Sequence, residues 1–266
     1  MSSTSDRTVV LITGANQGIG YEVAKGLLAH ENYHILLGSR DAARGAKAAE
    51  ELDPTGKIVE PITIDVTDDA SIQQAVEQVE SKHGRLDVLV NNAGINNEVE
   101  MYSRQIQNEK EGIQEKPDLA QLRQLYRDAY EVNVSGAAIT TEAFAPLLEK
   151  SAATPARIVF VSSHTGSLGL RIDKLSNWYP RLSNPSFPIY RSSKAALNML
   201  TLHYAAKFQA KGWKVNGSCP NLTATNFSRG KGRPASESAV NIVRLATMGV
   251  DGESGEYTDE NGVVPW

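Results

Sequence analysis

Short apolar runs alternate along the chain with longer stretches of mixed apolar and polar residues. The runs are nearly continuous in apolar character, which is typical of strands covered on both faces. They lie at Val9–Thr13, His34–Ser39, Lys57–Asp65, Leu86–Asn91, Arg157–Ser162 and Lys214–Cys219. Between them apolar residues recur at helical spacing, as at Ile72 and Ala75, with Asp68, Asp69 or Ser71 available as the N-cap. This alternation predicts an α/β fold with a doubly wound parallel sheet and helices on both faces.

Length and composition narrow the classes of function. The 266 residues favour one domain over residues 1–266, of which residues 1–6 form a polar tail. The net charge of -4 offers no basic surface to nucleic acid or to an anionic membrane. The apolar run that follows the polar start, Val9 to Ile12, is too short for the apolar region of a signal peptide or for a membrane span. The single cysteine, Cys219, excludes an intrachain disulfide and favours a reducing compartment, so we expect a cytoplasmic protein.

The first apolar run leads directly into a glycine-rich stretch, Thr13-Gly-Ala-Asn-Gln-Gly-Ile-Gly20, and then into a helical pattern. Gly14 permits the tight turn that leaves the strand, and Gly18 lets the backbone approach a pyrophosphate. Gly20 lets helix and strand pack closely, and the helix N-terminus offers unpaired N–H groups to phosphates. This order of elements predicts a dinucleotide site.

The end of the second strand reads Gly38-Ser-Arg-Asp41. Proteins that bind NAD usually carry an acid there, which holds the ribose hydroxyls. If Ser39 takes the place of that acid, the guanidinium of Arg40 binds a 2′-phosphate, and the sequence predicts NADP(H). Asp41 is the competing residue, because an error of one residue in this register would favour NAD instead.

Tyr190 and Lys194 lie four residues apart at the start of a helical pattern and therefore share one face. A lysine ammonium there favours the phenolate form of the tyrosine, which predicts proton exchange with a substrate oxygen near neutral pH. The fifth strand ends in the hydroxyls of Ser162 and Ser163 at the sheet edge where open α/β folds bind ligands.

Taken together, these motifs resemble those of the short-chain dehydrogenase/reductase family. They occur in that family's order from Val9 to about Gly255. The motifs are Thr13-Gly-x-x-x-Gly-x-Gly20, Asp65-Val66, Asn91-Asn-Ala-Gly94, Asn133, Ser163, Tyr190-x-x-x-Lys194 and Pro220. The resemblance implies one Rossmann-type domain and is greatest to NADPH-dependent single-domain carbonyl reductases, including those of fungal and bacterial secondary metabolism. The implied activity is reduction of a ketone or aldehyde to an alcohol.

The same resemblance implies a role for each matching residue. Tyr190 would be the general acid, Lys194 would lower its pKa and hold the nicotinamide ribose, and Ser163 would orient the carbonyl. Asn133 would hold a water that links Lys194 to solvent. The implied cofactor-binding residues are Gly14, Asn16, Gln17, Gly18, Ile19, Gly20, Ser39, Arg40, Asp65, Val66, Asn92, Ala93, Gly94, Tyr190, Lys194, Pro220, Asn221, Thr223 and Thr225.

The chain also departs from the family pattern. Asn221 replaces the glycine that usually follows Pro220; asparagine tolerates positive φ, but its side chain could enter the nicotinamide pocket. Two alternatives therefore stay open: imine or iminium reduction or a non-redox cyclisation on the same fold, and a cofactor-binding regulator without turnover. A homo-oligomer also stays open, although the long insertion between Ser163 and Tyr190 would obstruct the family's usual helix-mediated dimer.

Three long segments interrupt the alternation: Asn96–Lys116, Gly166–Pro188 and Thr225–Pro234. Loops of this length in compact domains are often functional. We expect residues 166–188 and 225–234 to form the walls of the substrate pocket, with the second segment closing over the cofactor. Trp178 and Tyr179 would be either a wall for the substrate or ordinary anchors of the loop.

The histidines and the cysteine do not indicate any further catalytic or metal site. The five histidines form no His-Glu-x-x-His motif and have no cysteine partners, so the sequence predicts no metal site. His164 follows Ser163, and the alternation of side chains along a strand predicts that it faces away or is solvated. Cys219 is expected to be a small buried side chain rather than a nucleophile.

Overall fold

The computed structural model describes residues 7–111, 118–153 and 155–266. The polar tail at residues 1–6 and the end of the Asn96–Lys116 segment lie outside the described residues. Within them the strands are β1 (Thr8–Ile12), β2 (Tyr33–Ser39), β3 (Val59–Thr63), β4 (Val88–Asn91), β5 (Arg157–Val161), β6 (Lys214–Ser218), β7 (Tyr257–Asp259) and β8 (Gly262–Val263). They form one sheet in the order β3-β2-β1-β4-β5-β6-β7-β8.

The sheet is parallel from β3 through β7, and only the short β8 pairs antiparallel with β7. The predicted doubly wound parallel sheet is therefore confirmed. The β7–β8 pair was not predicted, because strands of three and two residues are too short to show a pattern. The predicted third strand is shorter than expected and contains Pro61, which is tolerated because β3 lies at the edge of the sheet.

Ten helices, counted among the described residues, connect and cover the strands. They are α1 (Gly18–Leu27), α2 (Ala42–Leu52), α3 (Asp69–His83), α4 (Val99–Glu111), α5 (Leu119–Tyr130), α6 (Ala137–Leu148), α7 (Leu168–Ile172), α8 (Tyr179–Leu182), α9 (Pro188–Phe208) and α10 (Ala235–Thr247). The N-cap of α3 is Asp68, whose carboxylate accepts a hydrogen bond from the Ala70 N–H.

Two apolar cores lie on opposite faces of the sheet. Residues of α3, α6 and α9 pack on one face, and residues of α1, α2 and α10 pack on the other. Along β1 the side chains divide accordingly: Val9 and Leu11 join the first core, and Val10 and Ile12 join the second. Burial on both faces explains why the central strands are continuously apolar.

The strand order reverses between β1 and β4, and hydrogen bonds fix the ends of these two strands there. The Thr13 hydroxyl accepts hydrogen bonds from the N–H groups of Asn92 and Ala93, both at 3.0 Å. The Asn92 amide donates to the carbonyl oxygens of Thr13 and Gly14. In open α/β sheets such a switch point is where ligands bind.

Within the described part of the chain, no helix combines the length and the apolar character needed to cross a membrane.

Candidate functional site

The carboxyl ends of the central strands border a cavity of about 1000 Å³. It brings together most of the residues that the sequence predicted for the site. These are Gly14, Asn16, Gln17, Gly18, Ile19, Arg40, Asp65, Val66, Asn92, Ala93, Gly94, Ser163, Tyr190, Lys194, Pro220, Asn221, Thr223 and Thr225. Residues from distant parts of the sequence therefore share one space large enough for a cofactor and a substrate.

Three predicted site residues, Gly20, Ser39 and Asn133, lie behind the cavity wall. A Cβ on Gly20 would lie 2.5 Å from Nδ2 of Asn92, so this glycine permits close packing, as the sequence indicated. Ser39 is buried, and its hydroxyl donates to the Asp41 carbonyl oxygen at 2.9 Å. Asn133 is also buried. All three support the cavity from behind.

The glycine-rich turn has the backbone that a phosphate cradle needs. Gly14 and Gly18 adopt φ values of 64° and 60°, which disfavour residues with a side chain. Gln17, the N-cap of α1, makes no side-chain capping hydrogen bond, so the first N–H groups of α1 have no side-chain cap. These donors and the positive end of the helix fit the pyrophosphate of a dinucleotide.

Next to this turn, two arginines line the cavity beyond the end of β2. Arg40 is exposed, and Arg44, which the sequence analysis missed, lies in the first turn of α2. The Asp41 carboxylate caps α2 through the Arg44 N–H and also accepts from Nε of Arg44, both at 2.9 Å. The backbone and side-chain hydrogen bonds from Arg44 lower the pKa of Asp41. Asp41 is thus hydrogen-bonded to Arg44, and it does not line the cavity.

The cavity is strongly cationic. Among its lining residues in the described part of the chain, Asp65 is the one carboxylate, and its Oδ1 accepts from the N–H and hydroxyl of Thr67. The cationic side chains of the lining are Arg40, Arg44, Arg181, Arg191, Lys194, Arg229 and Lys231. This excess of positive charge favours an anionic ligand.

Ser163, Tyr190 and Lys194 meet where β5 ends and α9 begins. Nζ of Lys194 donates to the Val161 carbonyl oxygen at 2.8 Å and lies 5.8 Å from the Tyr190 ring centroid. Burial lowers the pKa of Lys194 to about 8. Burial raises the pKa of Tyr190, and a hydrogen bond with Ser163 offsets this only in part. The expected phenolate is therefore not what this structure favours, because Lys194 binds a backbone carbonyl instead of the phenol.

Asn133 lies in a π-helical segment, Glu131–Gly136, between α5 and α6. Its Oδ1 accepts from the Ile95 N–H at 2.8 Å, and its Nδ2 donates to the Ile95 carbonyl oxygen and to the Ser193 hydroxyl. Such bulges are frequent at functional sites. Asn133 thus ties the segment after β4 to α9, next to Lys194.

Glu98, which no sequence motif indicated, is fully buried. Its Oε2 accepts a hydrogen bond of 2.6 Å from the Tyr190 N–H, in the first turn of α9. Burial raises the pKa of Glu98, although hydrogen bonds from the N–H groups of Tyr190 and Ile189 oppose the shift. Phe187, the N-cap of α9, makes no side-chain capping hydrogen bond, so Glu98 caps this helix from a distant segment.

Asn221 adopts a φ of 61°, so the turn after Pro220 has the positive φ that the sequence analysis allowed for asparagine. The side chain is held in place, because Nδ2 donates to both carboxylate oxygens of Glu260 at 3.0 Å. Glu260 in turn pairs with Arg233. Nearby, the Thr223 hydroxyl is hydrogen-bonded to the Ser238 hydroxyl at 2.6 Å.

Both predicted loop segments contribute to the cavity wall. Trp178 lines the cavity, whereas Tyr179 begins α8 and does not line it. In the second segment, Phe227 contacts the Tyr190 ring edge-on, with 5.5 Å between centroids. Asn226 donates to the Gln17 side chain at 3.3 Å, so this segment reaches across to the glycine-rich turn.

His164 differs from the expectation of a solvated or outward-facing side chain. It begins a 3₁₀ turn rather than continuing β5, so the strand alternation does not apply. It is 3% exposed, its Nε2 lies 3.1 Å from Oδ2 of Asp259, and its ring packs on Trp178. Cys219 is buried as expected, and burial raises the pKa of its thiol to about 11.

We predict that Lys194 makes the stability of the protein depend on pH. Between pH 8 and about 10.4, the ordinary pKa of lysine, the unfolded chain holds a proton that the folded chain has released. The contribution of Lys194 to the free energy of unfolding therefore rises with pH across this window, by roughly 3 kcal/mol in total. The buried Cys219 thiol opposes this rise above about pH 8.5, because its pKa is raised to about 11 in the folded chain.

Urea unfolding at several pH values isolates the Lys194 contribution as the difference in free energy of unfolding between the wild type and Lys194→Met. This difference should change in favour of the wild type by roughly 3 kcal/mol across the window. The exposed Lys174→Met control should follow the wild-type pH profile, and a Lys194→Met profile that runs parallel to the wild type contradicts the prediction.

We also predict that Glu98 stabilises the start of α9. Glu98→Ala leaves N–H groups of the first turn without an acceptor, which should lower the free energy of unfolding by roughly 1–3 kcal/mol. Glu98→Gln keeps an acceptor and the side-chain volume, so its loss should be smaller. Chemical denaturation of the two variants tests this; equal losses would mean that the hydrogen bonds contribute nothing.

Comparison with known proteins agrees with this geometry. The family model described as short chain dehydrogenase matches residues 8–235. A short-chain dehydrogenase of Penicillium roqueforti, anuI, is 36% identical over 261 residues, covering 97% of this chain and 96% of that protein. The structure of salutaridine reductase from Papaver somniferum has a TM-score of 0.75 at 31% identity. The match covers 94% of this chain and 99% of that chain. The structure of NADPH-bound carbonyl reductase from chicken fatty liver also has a TM-score of 0.75, at 26% identity. The match covers 98% of this chain and 100% of that chain. The chain therefore belongs to the short-chain dehydrogenase/reductase family of oxidoreductases.

Proposed function

We propose that the protein uses NADPH to reduce a ketone or aldehyde to an alcohol. The convergence of Ser163, Tyr190 and Lys194 with the glycine-rich turn in one cationic cavity is the observation that carries this proposal. The similarity to a carbonyl reductase with bound NADPH and to salutaridine reductase supports it.

The raised pKa of Tyr190 suits a proton donor. In the reducing direction the hydroxyl must be protonated when the substrate arrives, and burial keeps it so at neutral pH. The hydroxyls of Ser163 and Tyr190 would both donate to the carbonyl oxygen, and this orients the substrate and stabilises the negative charge that develops there.

When bound, NADPH supplies a hydride to the carbonyl carbon. Tyr190 gives its proton to the carbonyl oxygen, which leaves an alcohol, NADP⁺ and a phenolate that must regain a proton. Lys194, with a pKa of about 8, can hold or release a proton near neutral pH. We propose that it restores the proton on Tyr190 and binds the nicotinamide ribose.

The preference for NADPH rests on the end of β2. Asp41 is engaged by Arg44 and lies outside the cavity lining, whereas Arg40 and Arg44 both line the cavity. The adenosine ribose would therefore meet two guanidinium groups and no free carboxylate, an arrangement that fits a 2′-phosphate.

The two loop segments would close the site. Segment 225–234 contacts both Tyr190 and the glycine-rich turn, so we propose that it covers the cofactor. Trp178 would give the substrate a rigid apolar wall.

Tyr190→Phe should slow carbonyl reduction by about a hundredfold or more, because general acid catalysis is lost. Affinity for NADPH should be retained. Turnover of NADPH with a panel of ketones, aldehydes and cyclic imines measures this, with Tyr126→Phe, which lies outside the cavity lining, as the matched control. Near-normal turnover of Tyr190→Phe on the best substrate contradicts the proposed role. Tight NADPH binding without oxidation by any compound would favour the regulator or the cyclase.

Arg40→Ala should weaken NADPH binding by about tenfold to a hundredfold, since a charge-assisted phosphate contact is lost. NADH binding should stay nearly the same, because NADH has no 2′-phosphate. Titration of cofactor fluorescence measures both. Lys47→Ala removes a cation from α2 outside the cavity lining and should change neither affinity. If the wild type binds NADH as tightly as NADPH, the proposed preference is wrong.

A further inference from the structure

A cluster of side chains that can bind metal ions lies at the amino ends of the strands, on the side of the sheet opposite the cavity. His34 lies near the start of β2, Glu60 near the start of β3, and His83 is the last residue of α3. One potential ligand atom from each residue lies within 4.8 Å of the others. The cavity instead lies at the carboxyl ends of the strands, so this cluster is separate from it.

The two imidazoles converge on one carboxylate oxygen. Nε2 of His83 lies 3.3 Å and Nε2 of His34 lies 3.6 Å from Oε2 of Glu60. In a tetrahedral zinc site with bonds of 2.0–2.2 Å, neighbouring ligand atoms are about 3.3–3.6 Å apart. These two distances therefore match those between ligands that share one zinc ion.

His34 is the second observation that indicates a ligand. Its side chain is 7% exposed, and neither ring nitrogen has a hydrogen-bond partner. The 3.6 Å to Glu60 is too long for a hydrogen bond. A buried polar group without a partner costs free energy, and a metal ion at Nε2 would satisfy it.

Oε2 of Glu60 faces the two imidazoles, and the other donors around this carboxylate bind its second oxygen. Nζ of Lys82 and Nε2 of Gln78 both donate to the other oxygen, Oε1, at 2.5 and 3.2 Å. These two hydrogen bonds fix the orientation of the Glu60 carboxylate, as outer-shell groups orient the ligands of known metal sites.

We propose that His34, Glu60 and His83 form a binding site for a divalent transition metal ion, with zinc as the best fit to two imidazoles and one carboxylate. Solvent would provide the fourth ligand. The site joins β2, β3 and α3 far from the cavity, so its role is structural. The proposal is independent of the proposed function.

The test is a zinc titration of the full-length protein after treatment with a chelator and desalting. Competition with a chromophoric chelator should give one zinc per chain, and Mg²⁺, which prefers oxygen ligands, should not compete. His83→Gln and Glu60→Gln should each weaken zinc binding at least about tenfold, since even outer-shell changes cost that much. His203→Gln changes an exposed histidine outside the cluster and should have no effect.

Thermal unfolding gives a second readout that requires no enzymatic activity. Zinc should raise Tm of the wild type and of His203→Gln but not of His83→Gln, because only a ligand of the folded state stabilises it. Circular dichroism verifies that the variants fold. Less than a tenth of a zinc ion per chain in the wild type, or the same affinity in His83→Gln, overturns the proposal.

Discussion

The site depends on the close approach of two strand ends at the point where the sheet reverses its order. The Thr13 hydroxyl holds the backbone of Asn92 and Ala93, and Asn92 holds the carbonyl oxygens of Thr13 and Gly14. Only glycine fits at position 20, because a Cβ would lie 2.5 Å from Asn92 and 2.8 Å from the Gly14 oxygen. This contact fixes the glycine-rich turn against the end of β4, and both then border the cavity.

A second constraint positions the start of α9. A Cβ on Gly166 would lie 2.6 Å from the Lys194 carbonyl carbon, so the turn after β5 lies directly against this helix. Asn133 and Glu98 hold the other side through Ser193 and the Tyr190 N–H. Ser163, Tyr190 and Lys194 are thus placed by contacts from three segments, and the geometry does not depend on a single loop.

The sequence predicted the six longest strands to within about two residues. In β1, β2, β4 and β5 this succeeded because burial on both faces makes the strands almost continuously apolar. It also identified motifs at strand ends, since Ser163 and the Asn91–Gly94 stretch follow directly after apolar runs. It could not identify Glu98, which caps α9 through the N–H of a residue 92 positions away, or Asp259, which pairs with His164 from the three-residue strand β7. Such partners are created by the fold and leave no local pattern. The raised pKa of Tyr190 was missed for the same reason, because it follows from burial and not from the spacing to Lys194.

In a parallel sheet the edge formed by the carboxyl ends of the strands and the edge formed by their amino ends differ in electrostatics. The helices that follow the strands begin at the carboxyl edge, so their positive ends lie near the cavity, where the arginines and Lys194 also gather. The negative ends lie at the opposite edge, and α3 finishes there with Lys82 and His83 beside Glu60. The same topology therefore favours an anion at the carboxyl ends of the strands and a cation at their amino ends. The histidine–glutamate cluster occupies the edge where a helix C-terminus and a fixed carboxylate both attract positive charge.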